Sequence, residues 1–324
     1  MATLSKSHIP KEVLFVSETL ENKGFSAYLV GGCVRDLIIG RTPKDWDITT
    51  DATPDEIIAS FEKTVYENTF GTVGVCIIQE GTAPVEKIYE IIEVTPFRKE
   101  GKYSDNRHPD EVIFSKDIAD DLSRRDFTIN ALAYRVATDE LVDLFEGQKD
   151  LKNKLIVAVG KAEERFEEDA LRLLRAVRFA TELGFTVESD TLVAVATKSE
   201  HLKNISFERI RDEFSKIMMS PEPMMGIGML EKLGLLAHFI PELREGISCE
   251  QGGAHKYDVF EHLLQAAQHA ADKGWPLEVR LAALFHDIGK PKTRRAGTKK
   301  AYTFYGHEVV GARMAKAICE RLKY

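Results

Sequence analysis

Residues 27–50 constrain the chain most. Ala27-Tyr28-Leu29-Val30 reads as a short apolar strand, Gly31-Gly32 as a turn, and Cys33-Val34-Arg35-Asp36 as the start of a helix. Lys44-Asp45-Trp46-Asp47-Ile48-Thr49-Thr50 reads as a second strand. Alternate side chains of a strand share a face, so Asp45 and Asp47 are expected to point one way and Trp46 the other. Two carboxylates at that spacing can share a divalent cation, and magnesium takes oxygen ligands while keeping positions for water and substrate phosphates. Glycines at the preceding turn let backbone come close to a phosphate. An Asp-x-Asp is also what a solvated strand edge carries; the double glycine upstream favours a metal-dependent phosphoryl- or nucleotidyl-transfer site.

The 324 residues suffice for two or three domains. A hydrophobic content of 44% with 30% charged residues is that of an ordinary globular chain. No apolar run approaches about 18 residues, which excludes a membrane-spanning helix, and Met1 to Pro10 lacks the apolar stretch of a signal peptide. Cys33, Cys76, Cys249 and Cys319 are widely spaced and form no Cys-x-x-Cys pair, as expected of reduced thiols in a cytoplasmic protein. A net charge of −8 argues against indiscriminate coating of nucleic acid but leaves room for local basic grooves. Lys290 to Lys300, with six Lys/Arg and no acid, is one such stretch, or a solvated loop.

Along the chain, Pro10 and the stripe Val13, Leu14, Val16, Leu20 predict an opening helix stopped at Gly24. Asp51-Ala52-Thr53-Pro54-Asp55-Glu56 predicts a second helix start. Strands are expected over 72–78 and 87–94, and the latter offers Glu93 as a third acid beside Asp45 and Asp47, or as an ordinary edge-strand glutamate. Residues 96–109 are polar and without period, reading as a long mobile loop that includes Asp105 and Arg107. Arg124-Arg125-Asp126-Phe127-Thr128-Ile129-Asn130 reads as a substrate-facing turn, since an arginine fork suits a triphosphate, or as a salt-bridged helix start. A short strand is expected at 141–145.

Beyond Gly160 the strand signals fade and the chain turns helical, which divides it into a head (1–155), a helical neck (156–245) and a last helical domain (246–324). Glu167 to Ala180 predicts one helix with Leu171, Leu174 and Val177 on its buried side. Asp169, Arg172 and Arg175 step round by about 60° each and can share a face, while Arg178 lies about 180° from Asp169. That face suits a ligand edge or a solvated set of salt bridges. In the last domain an adjacent His286-Asp287 ends an apolar run, with His262 upstream and His307 downstream, a set with metal-ligand chemistry.

Leu29-Val30-Gly31-Gly32-Cys33-Val34-Arg35-Asp36 with Asp45-Trp46-Asp47 resembles the signature of the tRNA nucleotidyltransferase / poly(A) polymerase family, class II (bacterial-type) branch. Arg124 to Ala131 is similar to that family's second motif, and Glu168 to Phe179 to its nucleotide-selecting motif. The last segment resembles the HD-superfamily domain that some members carry. The resemblance implies an α+β chain: a nucleotidyltransferase head with a small mixed sheet and flanking helices, then an all-helical neck and body. It implies that Asp45 and Asp47 hold Mg2+ and are catalytic. It also implies that Gly32, Arg35 and Arg125 hold the nucleotide's phosphates and sugar, and that Asp169 and Arg172, with Arg175 and Arg178 in the same motif, bind the nucleotide and read its base.

The implied activity is addition of CMP, CMP and AMP to the tRNA 3′ end from CTP and ATP without a template. Cytosine and adenine both present an amino donor beside a ring-nitrogen acceptor, which a carboxylate beside a guanidinium complements. Guanine and uracil present the reverse, and each mispaired buried group costs on the order of 1–3 kcal/mol. A-adding enzymes and bacterial poly(A) polymerases, usually more basic than this chain, are the alternatives within the family; CC-adding members lack much of the loop that here carries Asp105 and Arg107. From another class, an HD-type phosphohydrolase would centre on His262, His286 and Asp287 with a divalent transition metal. Relatives with an HD domain usually continue further, with a last metal-binding acid and a helical tail gripping tRNA. The sequence stops 17 residues after His307, so the expectation is either a truncated chain or a form without that anchor, with an HD site of His262, His286, Asp287 and His307 that is incomplete or a structural, metal-free HD-like domain.

Overall fold

The computed structural model describes residues 4, 6–66, 71–78, 89–101, 112–252, 256–297 and 301–324. They fall into two compact units, one running to Lys161 and the other from Ala162 to Tyr324. The fold is α+β, with a mixed sheet in the first unit and helices in the second.

In the first unit the apolar stripe of α1 (Lys11–Asn22) buries Val13, Val16 and Leu20. After it come β1 (Ala27–Val30), α2 (Gly32–Ile38), β2 (Asp47–Thr50), α3 (Pro54–Ile58), β3 (Thr64–Tyr66), β4 (Val73–Ile78) and β5 (Tyr89–Pro96). β6 (Arg98–Glu100), β7 (Val112–Phe114), α4 (Ile118–Ser123), β8 (Leu132–Arg135), β9 (Glu140–Asp143) and α5 (Gly147–Asn153) follow, with a two-residue strand at Leu155–Ile156. Thr53 and Glu56 close a capping box at α3, where the sequence signals a start.

Seven strands form one sheet in the order β3-β4-β5-β2-β1-β8-β9. β2 and β5 run parallel; the other neighbours are antiparallel. Tyr28, Val30, Phe97, Leu122 and Ala133 form a buried cluster that anchors α4 to the sheet. Each such fully buried side chain contributes roughly 1.5–3 kcal/mol over leaving it exposed. Residues 96–109 do not begin as a loop: β6 pairs with β7 in the register Arg98↔Phe114. The expectation for Asp105 and Arg107 lies outside the described residues. β5 sits between β4 and β2, so Glu93 is on an interior strand, not an edge.

The second unit holds α6 (Ala162–Glu168), α7 (Leu171–Leu183), α8 (Ser189–Thr197), α9 (Phe207–Met219), α10 (Pro223–Lys232), α11 (Pro241–Arg244), α12 (Val259–Asp272), α13 (Leu277–Phe285), α14 (Lys290–Thr293) and α15 (His307–Leu322). Pro223 and Pro241 each open a helix, the position where a missing N–H costs least. α7 packs on α9 and α10, α12 on α10 and α13, and α15 on α14 and α9.

Candidate active site

The first cluster is built at the turn after β1. Gly31 takes φ 79° and ψ −131°, a backbone state open to glycine. A Cβ there would lie 3.0 Å from Arg125 Nη1 and 4.0 Å from Asp47 Oδ2, so the turn, the acid and the arginine converge. At Gly32 a Cβ would meet Arg35 Nη2 at 3.6 Å. Asp47 opens β2, but Asp45 is in the bend before it, not on the strand as the sequence predicts. Pro43 has no N–H to lend to a ladder, and the pairing of β2 begins only at Asp47. The register sets Glu93 beside Asp47 on the adjacent parallel strand, and in-register neighbours share a face. Burial pushes the Asp47 carboxyl above the usual carboxylate range; Arg125 pulls it down and Asp45 pushes it up again. A half-buried acid beside a second acid is a donor set that a divalent cation suits.

Arg125 is held from behind. Asp121, fully buried on α4, accepts from Arg124 Nε at 3.0 Å and Nη2 at 2.6 Å through Oδ1, and from Arg125 Nη2 at 3.0 Å through Oδ2. Burial alone would raise the Asp121 carboxyl; the two guanidiniums outweigh it and hold it below the ordinary range. Arg125 Nε is buried with no hydrogen-bond partner among the described residues, an orphan donor. Arg35 donates through Nη1 to Asn130 Oδ1 at 2.7 Å, and Asn130 donates to Asp126 Oδ1 at 3.1 Å. The sequence does not single out Asp121, and it marks Asn130 only as the end of a substrate-facing turn, without its bond to Arg35. The i,i+3 and i,i+4 spacing of Asp121 to Arg124 and Arg125 carried the signal for the first; the second pairs across 95 residues and had none. Cys33 is buried, its thiol pushed up to about 11 by burial, so it is no nucleophile.

The second unit brings together part of the nucleotide-selecting motif in a different form from the one expected. Glu167 to Ala180 is not one helix: α6 ends at Glu168 and α7 starts at Leu171, with Asp169 in the break. The angular argument from Asp169 therefore fails, and Asp169 acts on the α7 terminus instead, accepting from the Leu171 N–H at 3.0 Å. Its carboxylate also takes both Nη atoms of Arg209 on α9, at 3.3 Å on Oδ1 and 2.8 Å on Oδ2. Arg172 donates through Nη1 to Glu168 at 2.7 Å and to the Arg165 carbonyl at 3.1 Å, and Arg165 pairs with Glu168 in turn. Arg175 and Arg178 both lie over the Phe179 ring, at 5.2 Å and 4.1 Å, and Arg178 Nε is 3.1 Å from buried Glu213. Arg209 was missed because its partner is 40 residues away.

His262, His286 and Asp287 meet as the sequence predicts. His286 caps the end of α13 and Asp287 follows it. The Nε2 atoms of the two histidines are 3.1 Å apart and lie 3.3 Å and 3.2 Å from Asp287 Oδ2. Ligand atoms about 2.1 Å from one metal are roughly 3.0–3.4 Å apart, so the triad fits a tripod for a divalent transition metal. His307 Nε2 joins at 3.2 Å from Oδ1. Nδ1 of His286 and Nδ1 of His307 each face a backbone carbonyl at 2.8 Å, which turns both Nε2 atoms toward Asp287. Lys290 Nζ is 2.7 Å from Asp287 Oδ2 and 2.7 Å from Gln251 Oε1. Asp287 raises the His286 imidazole above its usual value, and against the effect of burial His286 and Lys290 hold Asp287 well below the carboxylate range.

Family models match in chain order: "Poly A polymerase head domain" over residues 27–157, "Probable RNA and SrmB- binding site of polymerase A" over 184–247, and "HD domain" over 259–324. The chain thus has the build of a nucleotidyltransferase with a poly(A) polymerase head. It belongs to the tRNA nucleotidyltransferase / poly(A) polymerase family. The CCA-adding enzyme of Levilactobacillus brevis is 41% identical over 268 residues, 82% of this chain and 62% of that protein. That of Oceanobacillus iheyensis is 47% identical over 243 residues, 75% of this chain and 56% of that protein. The crystal structure of the Bacillus stearothermophilus CCA-adding enzyme in complex with CTP matches with a TM-score of 0.63 and 29% identity, over 97% of this chain and 81% of that one. The chain spans less than two thirds of the length of these curated relatives. No helix among the described residues is long and apolar enough to cross a membrane.

Proposed function

We propose that the chain adds CMP, CMP and AMP to the 3′ end of tRNA, using CTP and ATP and no template. The observation that carries the reading is the convergence of Asp47 and Arg125 on the Gly31 turn. Asp45 and Asp47 hold the divalent cations, which we take to be Mg2+. When bound, these lower the pKa of the RNA 3′-hydroxyl and neutralise the departing pyrophosphate. Arg125, with its orphan Nε, and Arg35 beside Gly32 grip the triphosphate and sugar, orienting the α-phosphate for in-line attack. Glu93 shares the face of Asp47 and is a third acid for the same cations.

Asp169 and Arg172 read the base by offering an acceptor beside a donor, with Arg175 and Arg178 in the same nucleotide-binding set. We keep the division into a head over 1–155, a neck over 156–245 and an HD-like domain over 246–324, and place the protein in the cytoplasm. The test is incubation with tRNA lacking its 3′ CCA and with tRNA ending in CC, each with single nucleotides. CTP followed by ATP incorporation supports CCA addition. Incorporation of ATP alone on the CC-ended tRNA means A addition, long ATP tails mean poly(A) synthesis, and no incorporation on any RNA overturns the reading.

A second activity has its own observation, the tripod of His262, His286 and Asp287. It supports metal-dependent phosphohydrolysis at the HD-like domain. Ring opening of 2′,3′-cyclic nucleotides to monophosphates, or phosphate release from nucleoside monophosphates, lost in His286→Ala, is the expected result; hydrolysis unaffected by that substitution rejects it.

A further inference from the structure

We infer that Arg209 is a positioning residue for base selection, a role resting on the proposal that Asp169 reads the base. Asp169 lies in the break between α6 and α7, where its N–H still reaches the Arg165 carbonyl at 3.4 Å but its side chain is set by other partners. Three donors set it: the Leu171 N–H and Arg209 Nη1 on Oδ1, and Arg209 Nη2 on Oδ2. A carboxylate offers about four acceptor positions. Among the described residues three are taken, so one remains, on Oδ2. One remaining acceptor matches the single exocyclic amino group that cytosine and adenine share. Guanine and uracil bring a carbonyl to that position, against an oxygen that can only repel it.

The fork is what makes this specific. A guanidinium bonds both carboxylate oxygens in one plane, so it fixes rotation about the carboxyl as well as charge. Without Arg209 only the Leu171 N–H restrains the group. The carboxylate could then turn and meet the carbonyl-bearing bases with water between, and discrimination would fall while the grip on the triphosphate would not. Arg209 is 26% exposed and Asp169 19%, so the pair is reachable by solvent and its removal leaves no sealed buried charge.

Equilibrium binding of CTP, ATP, UTP and GTP with Mg2+ to the full chain tests this, with inorganic triphosphate as the probe that has no base. Arg209→Ala should lower the CTP:UTP affinity ratio on the order of tenfold and leave triphosphate binding unchanged. Arg209→Lys, which keeps the charge but not the fork, should fall between. Adding Arg209→Ala to Asp169→Ala should change the ratio no further, and the part of any Tm loss that comes from their ion pair should likewise not add in that background. If Asp169→Ala lowers the ratio and neither Arg209 variant does, Arg209 is only a structural tie and the inference is overturned. If Asp169→Ala leaves the ratio unchanged, base reading by Asp169 itself fails and takes the inference with it.

Discussion

Gly31 shows how one missing side chain sets a site. Its backbone state is one that a Cβ opposes, and the same Cβ would press on Arg125 Nη1. Gly31→Ala should therefore act twice, with backbone strain of order 1–3 kcal/mol and a displaced Arg125. Weaker triphosphate binding together with a lower Tm is the expected pair of results; wild-type binding would mean that Arg125 has room the geometry does not show. For Asp45 and Asp47 the proposed role is cation ligation in the transfer step. Replacing either by Ala removes cation ligation worth several kcal/mol, a loss on the order of a thousandfold in incorporation rate, with nucleotide binding by the arginines partly kept. Primer extension on CC-ended tRNA measures it, and turnover within tenfold of wild type in the double variant would remove the pair from the site.

At the scale of elements, helix ends matter more than helix middles. α7 begins at Leu171 although strong helix formers run from Glu167 through Ala180. Local propensity favours one helix there; at the break the Asp169 carboxylate accepts from the Leu171 N–H and from Arg209 instead. α8 starts on Glu188, whose carboxylate accepts from the N–H groups of Asp190 and Thr191. Burial raises this carboxyl, but the hydrogen bonds prevail and lower it from 4.5 to about 2. A depressed carboxyl stabilises the fold above its unfolded pKa, and loses that contribution as pH falls through the folded value. Glu188→Ala should thus cost roughly 0.5–2 kcal/mol at neutral pH, with the gap to wild type closing as pH falls from about 4.5 toward about 2. Urea midpoints at stepped pH read it, and a gap independent of pH would assign the loss to packing.

Gly289 plays the corresponding part between α13 and α15. A Cβ on it would lie 2.3 Å from the His307 carbonyl and 2.5 Å from the Gly311 nitrogen, backbone that cannot swing aside. Gly289→Ala should push the start of α15 away from Asp287, lowering Tm and weakening transition-metal binding together; loss of neither shows that α15 can be displaced freely.

Across the whole molecule, what the sequence makes legible is what lies close along the chain. The Gly31-Gly32 turn, the helix start at Thr53 and the His286-Asp287 dyad are short-range patterns that the structure keeps together, while of Asp45 and Asp47 only Asp47 is on the expected strand. Asn130 on Arg35 and Arg209 on Asp169 are made by tertiary packing, and no local period announces them. β6 and β7 escaped for the same reason, since three-residue strands carry little alternation and find each other only in space. Two clusters of metal-ligand chemistry lie in different compact units, the acids of the head in one and the histidine tripod in the other. Their chemistries also differ: carboxylate oxygens suit Mg2+, imidazoles suit transition metals. They should therefore be separable in the intact chain. A net charge of −8 gathers divalent cations diffusely, so the measurement belongs at about 0.15 M salt, where such attraction is screened. Equilibrium dialysis with Mn2+ or Ni2+ should show one tight site lost in His262→Ala/His286→Ala while nucleotide incorporation persists. Asp45→Ala/Asp47→Ala should do the opposite, abolishing incorporation and leaving tight transition-metal binding in place. Loss of incorporation in the histidine variant at unchanged Tm would mean instead that the two units share a single metal-dependent function.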